Sequence, residues 1–296
     1  MNLIVKEESS PVFIGYLLMN LMVKKRNSVQ GTAIKGIPSA EIKKFKVLVP
    51  AFPEQQKIAN FLTTVDRQID IQSQRVEAMK TRKKGLLQKI FSQEIHFKDD
   101  EGKDYPKWDE KKIGEFSQCI AGATPSTKEP RYWKNGNIPW MSSGEVNNRI
   151  IYSTEKKISS LGYENSSTKM LPENTVIMAL AGQGKTRGMV AITRIRLCTN
   201  QSLCGIVTDS SMLSDYLYQF LLTQYEYLRL ISSGDGTRGG LNKKIVSDCN
   251  IPVPTLPEQQ KIADFLTAVD KQIEVEEKRL ETMKNIKKGL LQQMFI

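Results

Sequence analysis

PEQQKIANFLTTVDRQIDIQSQRVEAMKTRKKGLLQKIF, residues 53–91, returns 204 positions later as PEQQKIADFLTAVDKQIEVEEKRLETMKNIKKGLLQQMF, residues 257–295. The two stretches are identical at 25 of 39 positions without a gap. Duplication at this length is not chance, and it decides the organisation of the chain. Each copy reads as one long helix. Pro53 and Pro257 stand at the first helical position, where a missing N–H costs nothing, and Glu54 and Glu258 follow at the positive end of the helix dipole. Apolar residues then recur in steps of four and three. The first seam is Ile58, Leu62, Val65, Ile69, Val76, Met79, Leu86 and Ile90, and the second is Ile262, Leu266, Val269, Ile273, Leu280, Met283, Leu290 and Met294. Both are heptad seams, interrupted at the same two places by Gln72 and Lys83 and by Glu276 and Lys287.

Two matching seams in one chain pair most simply with each other. The first helix runs towards the segment between them and the second runs back from it, so the pair is expected to be antiparallel. At 1.5 Å per residue each helix is about 58 Å long. Gln72, Lys83, Glu276 and Lys287 are expected to mark the register or a partner's docking site. A plain coiled-coil dimerisation module is the simpler reading of periodicity alone. The duplication reaches beyond the helices, however. VLVP at 47–50 matches IPVP at 251–254, and Gly-Thr precedes both, at 31–32 and 236–237.

The 296 residues carry a formal net charge of +11, which suits a polyanionic partner. The region 105–256 holds 18 Lys and Arg against 13 Asp and Glu, and residues 1–52 hold eight against three. Basicity therefore lies largely outside the paired helices. Cys119, Cys198, Cys204 and Cys249 show no metal-ligand spacing and His96 is the only histidine, which argues against a zinc site and for reduced thiols in a cytoplasmic protein. The apolar run Val12–Val23 is too short to span a bilayer and reads as an internal helix. No membrane association, cofactor or metal is expected.

The turn-rich acidic stretch 93–106 separates the first helix from a mixed α/β unit at 107–254. Strand-like runs occur at 175–180, 188–197 and 204–208, with short helices near 213–231. ALAGQGKT (179–186) resembles a phosphate-binding loop, but the β-branched run after it reads as a strand, whereas such a loop needs a helix N-terminus facing phosphate. A hairpin tip fits better. Gln183, Lys185 and Arg187 lie on that tip, and Arg194 and Arg196 are expected to share a face of its second strand. Glutamine and arginine carry paired donors or donor–acceptor edges that match adenine and guanine in the major groove. Arg238, Lys243 and Lys244 are expected nearer the phosphates, as positioning contacts. A solvated charged face is the plain alternative for each of these residues. No catalytic constellation stands out: His96 sits in an acidic linker, and Asp66 and Asp270 occupy matching positions of the repeat.

The PEQQKIA…KKGLLQ helices, each preceded by a strand ending in Val-Pro, resemble the two conserved regions of type I restriction–modification specificity subunits. The unit between them is similar to their target recognition domains, in YPKWDEKKIGEF (105–116), GATP (122–125), NIPWMSSGEV (137–146) and TNQSLCGI (199–206). The resemblance implies an α+β protein: one complete mixed α/β target recognition domain (107–254) and two long antiparallel coiled-coil spacer helices (53–92 and 255–296). It implies a non-catalytic DNA-recognition subunit of an endonuclease and methyltransferase complex acting in phage defence. Its partners would be double-stranded DNA, methyltransferase subunits and restriction or translocase subunits. Each of two recognition domains reads half of a split target in that family. Here residues 1–52 match only the end of the second unit, so the first domain is expected as a remnant lacking counterparts of roughly 107–202. The competing reading is an inert adaptor that binds methyltransferase subunits without bipartite specificity.

Overall fold

The computed structural model describes residues 8–28, 42, 47–182, 185–232 and 240–295. The helices are α1 (Pro11–Ser28), α2 (Phe52–Phe91), α3 (Ile113–Phe116), α4 (Ser160–Glu164), α5 (Ser214–Thr223), α6 (Tyr225–Ile231), α7 (Lys243–Ser247) and α8 (Leu256–Met294). The strands are β1 (Asp109–Lys112), β2 (Ser117–Ala121), β3 (Ile138–Met141), β4 (Ile150–Ile151), β5 (Lys156–Ile158), β6 (Val176–Ala179), β7 (Val190–Thr193), β8 (Cys198–Thr199), β9 (Leu203–Thr208) and β10 (Asn250–Val253). α2 and α8 are the two copies of the repeat. The chain divides into two compact units, one of residues 1–81 with 271–296 and one of residues 82–270.

In the first unit, α1 lies on the early turns of α2 and the end of α8. Phe13, Leu17, Ala59, Leu62 and Phe295 form its core, with the rings of Phe13 and Phe295 5.4 Å apart. The long helices run antiparallel here, because partners that fall along α2 rise along α8. Gln72 donates to the Glu276 carboxylate at 2.7 Å and to its backbone carbonyl at 3.0 Å, and Asp66 pairs with Lys287. One interruption of each seam, Gln72 and Glu276, thus meets the other, while Lys287 finds Asp66 beside the first seam, and these polar pairs fix the register.

The second unit holds a five-stranded sheet in the order β2-β9-β6-β7-β4, a three-stranded sheet β5-β3-β8 and the pair β1-β10. Its larger core joins Val176, Met178, Val190, Ile192 and Ile206 of the five-stranded sheet to Leu217 and Leu221 of α5 and to Leu87, Ile90, Ile262 and Leu266 of the long helices. A smaller core under the other face gathers Met141, Ile177, Ala191 and Leu203. The helices are antiparallel here as well, with Lys83 of α2 against Asp270 of α8.

The apolar seam residues named from the sequence are buried or half-buried, Val65 and Val269 included, except Met294 at the end of α8, which is exposed. At the far end of α2 the deepest positions are Leu87 and Ile90, while Leu86 is half-buried. A straight helix drifts about 20° per heptad against a 3.5-residue repeat, which brings the next residue inward. The strand expected over 188–197 is corrected. β7 ends at Thr193, the chain bends, and β8 joins a different sheet. Arg194 and Arg196 therefore do not share a strand face. Among the described residues no helix is long and apolar enough to cross a membrane.

Candidate nucleic-acid interface

β6 and β7 pair antiparallel, Val176 opposite Ile192 and Met178 opposite Val190, so the described residues 180–182 and 185–189 lie at the end of the hairpin. No helix follows Thr186. The chain turns directly into β7, which removes the dipole that a phosphate-binding loop needs. Two contacts hold the tip. The Tyr225 hydroxyl donates to the Lys185 carbonyl at 2.7 Å. Gly188 adopts φ +84°, and a Cβ there would lie 3.4 Å from that of Leu228 on α6. A side chain there would meet Leu228 at ordinary contact distance but would have to adopt an unfavourable backbone region.

A third contact joins the tip to a second loop. The Leu241 N–H donates to the Leu180 carbonyl at 3.0 Å. Just beyond it Asn242 caps α7, its side-chain oxygen accepting from the Ile245 N–H at 2.9 Å, and exposed Lys243 and Lys244 occupy the first turn. Lys185, exposed, and Arg187, half-buried, are thus drawn to the same edge as Lys243 and Lys244. Gln183 and Arg238 lie outside the described residues.

Arg194 has a different setting. Its guanidinium forks onto the Asp215 carboxylate at the start of α5 and donates to Asn174 Oδ1 at 2.7 Å. Hydrogen bonding to Asp215 pushes its already high pKa further up. Arg196 is exposed. A cleft of about 550 Å³ beside the fork is lined by Asn174, Arg194, Asp215, Gln260, Asp264 and Thr267. Its two carboxylates make it a poor seat for a phosphate backbone.

Sequence reasoning passed over several residues. Arg149 is exposed and takes φ +62° at the end of the short helix at 143–148, a region few non-glycine residues adopt. Asp270 accepts from both Lys83 and Gln219. Asp66 in the first unit has its own pair of partners, Lys287 and Tyr16. The repeat could have shown this, because an alignment offset of 203 in the short helices sets Tyr16 opposite Gln219. Likewise Gln55 accepts from the Ser10 N–H and donates to the Pro50 carbonyl, and Gln259 accepts from the Leu213 N–H and donates to the Pro254 carbonyl.

The fold is thus a duplicated pair of antiparallel helices with a mixed α/β unit that carries a cationic loop edge. The family model of the type I restriction modification DNA specificity domain matches residues 1–81 and 105–285, and the chain belongs to that family. The MjaIX specificity subunit of Methanocaldococcus jannaschii is 34% identical over 212 residues, 70% of this chain and 48% of that protein. The putative MjaX specificity subunit of the same organism is 25% identical over 301 residues, 97% of this chain and 67% of that one. The chain therefore spans about half to two thirds of the length of these relatives. The crystal structure of a type I restriction-modification S subunit from M. genitalium superposes with a TM-score of 0.64 at 16% identity, covering 100% of this chain and 75% of that one. A structure from a study of type I complex assembly gives 0.63 at 15%, covering 97% and 71%. These two likenesses concern the fold.

Proposed function

We propose that residues 107–254 read one half of a split double-stranded DNA target, and that the spacer helices at 53–92 and 255–296 hold this domain at a fixed distance from a second reading unit. Residues 1–52 form the end of a first recognition domain. Methyltransferase subunits dock on the assembly to modify adenine, and restriction subunits join to cut unmodified DNA; this chain supplies neither chemistry. The observation that carries the reading is the Leu241–Leu180 hydrogen bond. It ties the hairpin end at Leu180 to the chain that leads into Lys243 and Lys244. Lysines there neutralise phosphate and set the register on the duplex, while Gln183, Arg187 and Arg196 supply the groups that distinguish base edges. Arg194 reaches a base only by leaving Asp215.

The test is selection of bound sequences from randomised duplexes by the chain together with its methyltransferase partner. One specified block is the expected result. Two separated blocks would show that the 1–52 unit also reads sequence, and no specified position would leave only the adaptor role.

A further inference from the structure

The hairpin end shares its side of the sheet with two further connections. β2 and β6 end there and β9 and β7 begin there, because β2-β9-β6-β7 pair antiparallel in turn. Leu180, whose carbonyl accepts from Leu241, also donates its N–H to the Ser202 carbonyl at 2.8 Å. The turn before β9 therefore adjoins both the hairpin end and the chain that leads into Lys243 and Lys244. The segment after β2 adjoins that turn in its own right.

Backbone contacts pin these two connections to each other and to the core. The Gly122 N–H donates to the Leu203 carbonyl at 3.3 Å, and the Ala123 N–H to the Thr199 carbonyl at 2.9 Å. A Cβ at Gly122 would lie 2.2 Å from the Thr199 carbonyl oxygen and 2.4 Å from that of Asn200, so only glycine admits this approach. The Asn200 N–H donates to the Met141 carbonyl at 3.1 Å, and the Asn200 side-chain oxygen accepts from the Ser202 N–H at 3.1 Å. Trp140 Nε1 donates to the Ala123 carbonyl at 3.0 Å.

Two exposed side chains, Thr124 and Gln201, stand on this rigid base. The Thr124 hydroxyl donates to Gln201 Oε1 at 2.5 Å. An exposed bond adds little stability, because water competes for both groups. Its effect is to orient the amide. With Oε1 engaged, Gln201 is left with two N–H donors to offer. Neither 122–128 nor 199–202 contains a carboxylate that would repel an anion. Reading adenine takes a donor and an acceptor from one glutamine. An amide whose acceptor is engaged suits a partner that only accepts, and phosphate oxygens are such partners at every step of a duplex.

We propose that Thr124 and Gln201 form an uncharged clamp for one DNA phosphate, which seats the recognition domain on the duplex without reading sequence. The proposal rests on the reading of residues 107–254 as a DNA-binding domain. The clamp acts on every duplex alike and sequence reading does not, so the two can fail separately.

The test titrates the full chain, with its methyltransferase partner, against the duplex it selects and against a shuffled one at several salt concentrations. Gln201→Ala should weaken binding to both duplexes by the same factor, about threefold to tenfold. The slope of log affinity against log salt should not change, because a neutral donor releases no counterion. Gln201→Lys should recover the affinity and steepen the slope by about 1. Thr124→Val, which frees the amide to turn, should fall between Gln201→Ala and the parent on both duplexes. Both Gln201 variants should unfold at the parent temperature, whereas a purely structural role would shift unfolding and leave the slope of Gln201→Lys unchanged. A loss confined to the selected duplex, or a relaxed choice at one base, would make Gln201 a base reader and overturn the clamp. Unchanged affinity in Gln201→Ala, or an unchanged slope in Gln201→Lys, would overturn it as well. A parent that binds all duplexes alike fails as a sequence reader, and the clamp is then scored on the shuffled duplex. A parent that binds neither duplex overturns both.

Discussion

Removing the carboxylate of Asp270 should strand a buried charge. The Lys83 side chain is 8% exposed, with its ammonium 2.6 Å and 2.7 Å from the two oxygens of Asp270. Asp270 also accepts from Gln219 at 2.8 Å. Breaking a buried pair from one side costs about 3–5 kcal/mol, because the remaining ion keeps its desolvation penalty and loses its partner. That is a large share of a domain stability of about 5–15 kcal/mol. Lys83→Met costs less, about 1–2 kcal/mol, because Asp270 keeps Gln219 and some access to water. The double variant Lys83→Met/Asp270→Leu should return to within about 1 kcal/mol of the parent, with methylenes filling the site. Urea unfolding followed by tryptophan emission is the assay. Trp108, Trp133 and Trp140 all lie within residues 82–270, as do Lys83 and Asp270, so the signal reports the unit that holds the pair. A cost below about 1 kcal/mol for Asp270→Ala would place the pair among weak surface bridges and refute the reasoning. A double variant no better than Asp270→Ala would refute it equally.

The other predictions concern the same unit. Burial outweighs the attraction of Asp270 and holds the Lys83 ammonium below the ordinary lysine value of 10.5. The folded state therefore releases this proton before the unfolded state does. Stability relative to Lys83→Met should rise with pH from the lowered folded pKa up to 10.5, and the same urea titration repeated across alkaline pH checks the sign. Glu145 is 4% exposed and accepts from the Ser142 N–H, the Ser142 hydroxyl and the Glu155 N–H. Glu145→Ala should cost about 2–4 kcal/mol by leaving those donors unmet, read as an earlier thermal unfolding midpoint. Lys243→Ala should weaken binding to every duplex evenly and reduce the salt slope by about 1, measured by titration at several ionic strengths. A loss confined to one sequence would make it a base reader. Arg194→Ala should destabilise the unit by about 1–2 kcal/mol, because a bidentate fork is lost. Relaxed preference at one base position in the same variant would show that Arg194 also reads DNA.

The long helices were legible because their information is local and stated twice. Spacing alone placed the seams, and the shared interruptions at Gln72/Glu276 and Lys83/Lys287 told register from noise. The hairpin was legible too, since the residues after Thr186 are poor helix starters. Its second strand was overrun, because the apolar run continues through Ile195 and Leu197 without a break in pattern. Periodicity records that a residue is buried, not which sheet buries it, and Leu197 bridges to Leu171 rather than extending β7. The partner of Arg194 was out of reach for a related reason. Asp215 opens a helix 21 residues later, and only the folded chain brings the two together.

The repeat carries more of the site than its identities do. Asp66 and Asp270 are the same residue in both copies, yet the groups that donate to them from the short helices are a phenol in Tyr16 and an amide in Gln219. The hydrogen-bonding role persists while the residue type changes, because a half-exposed carboxylate facing a lysine can accept from any donor of suitable reach. Comparing the copies by role rather than by identity predicts such pairs.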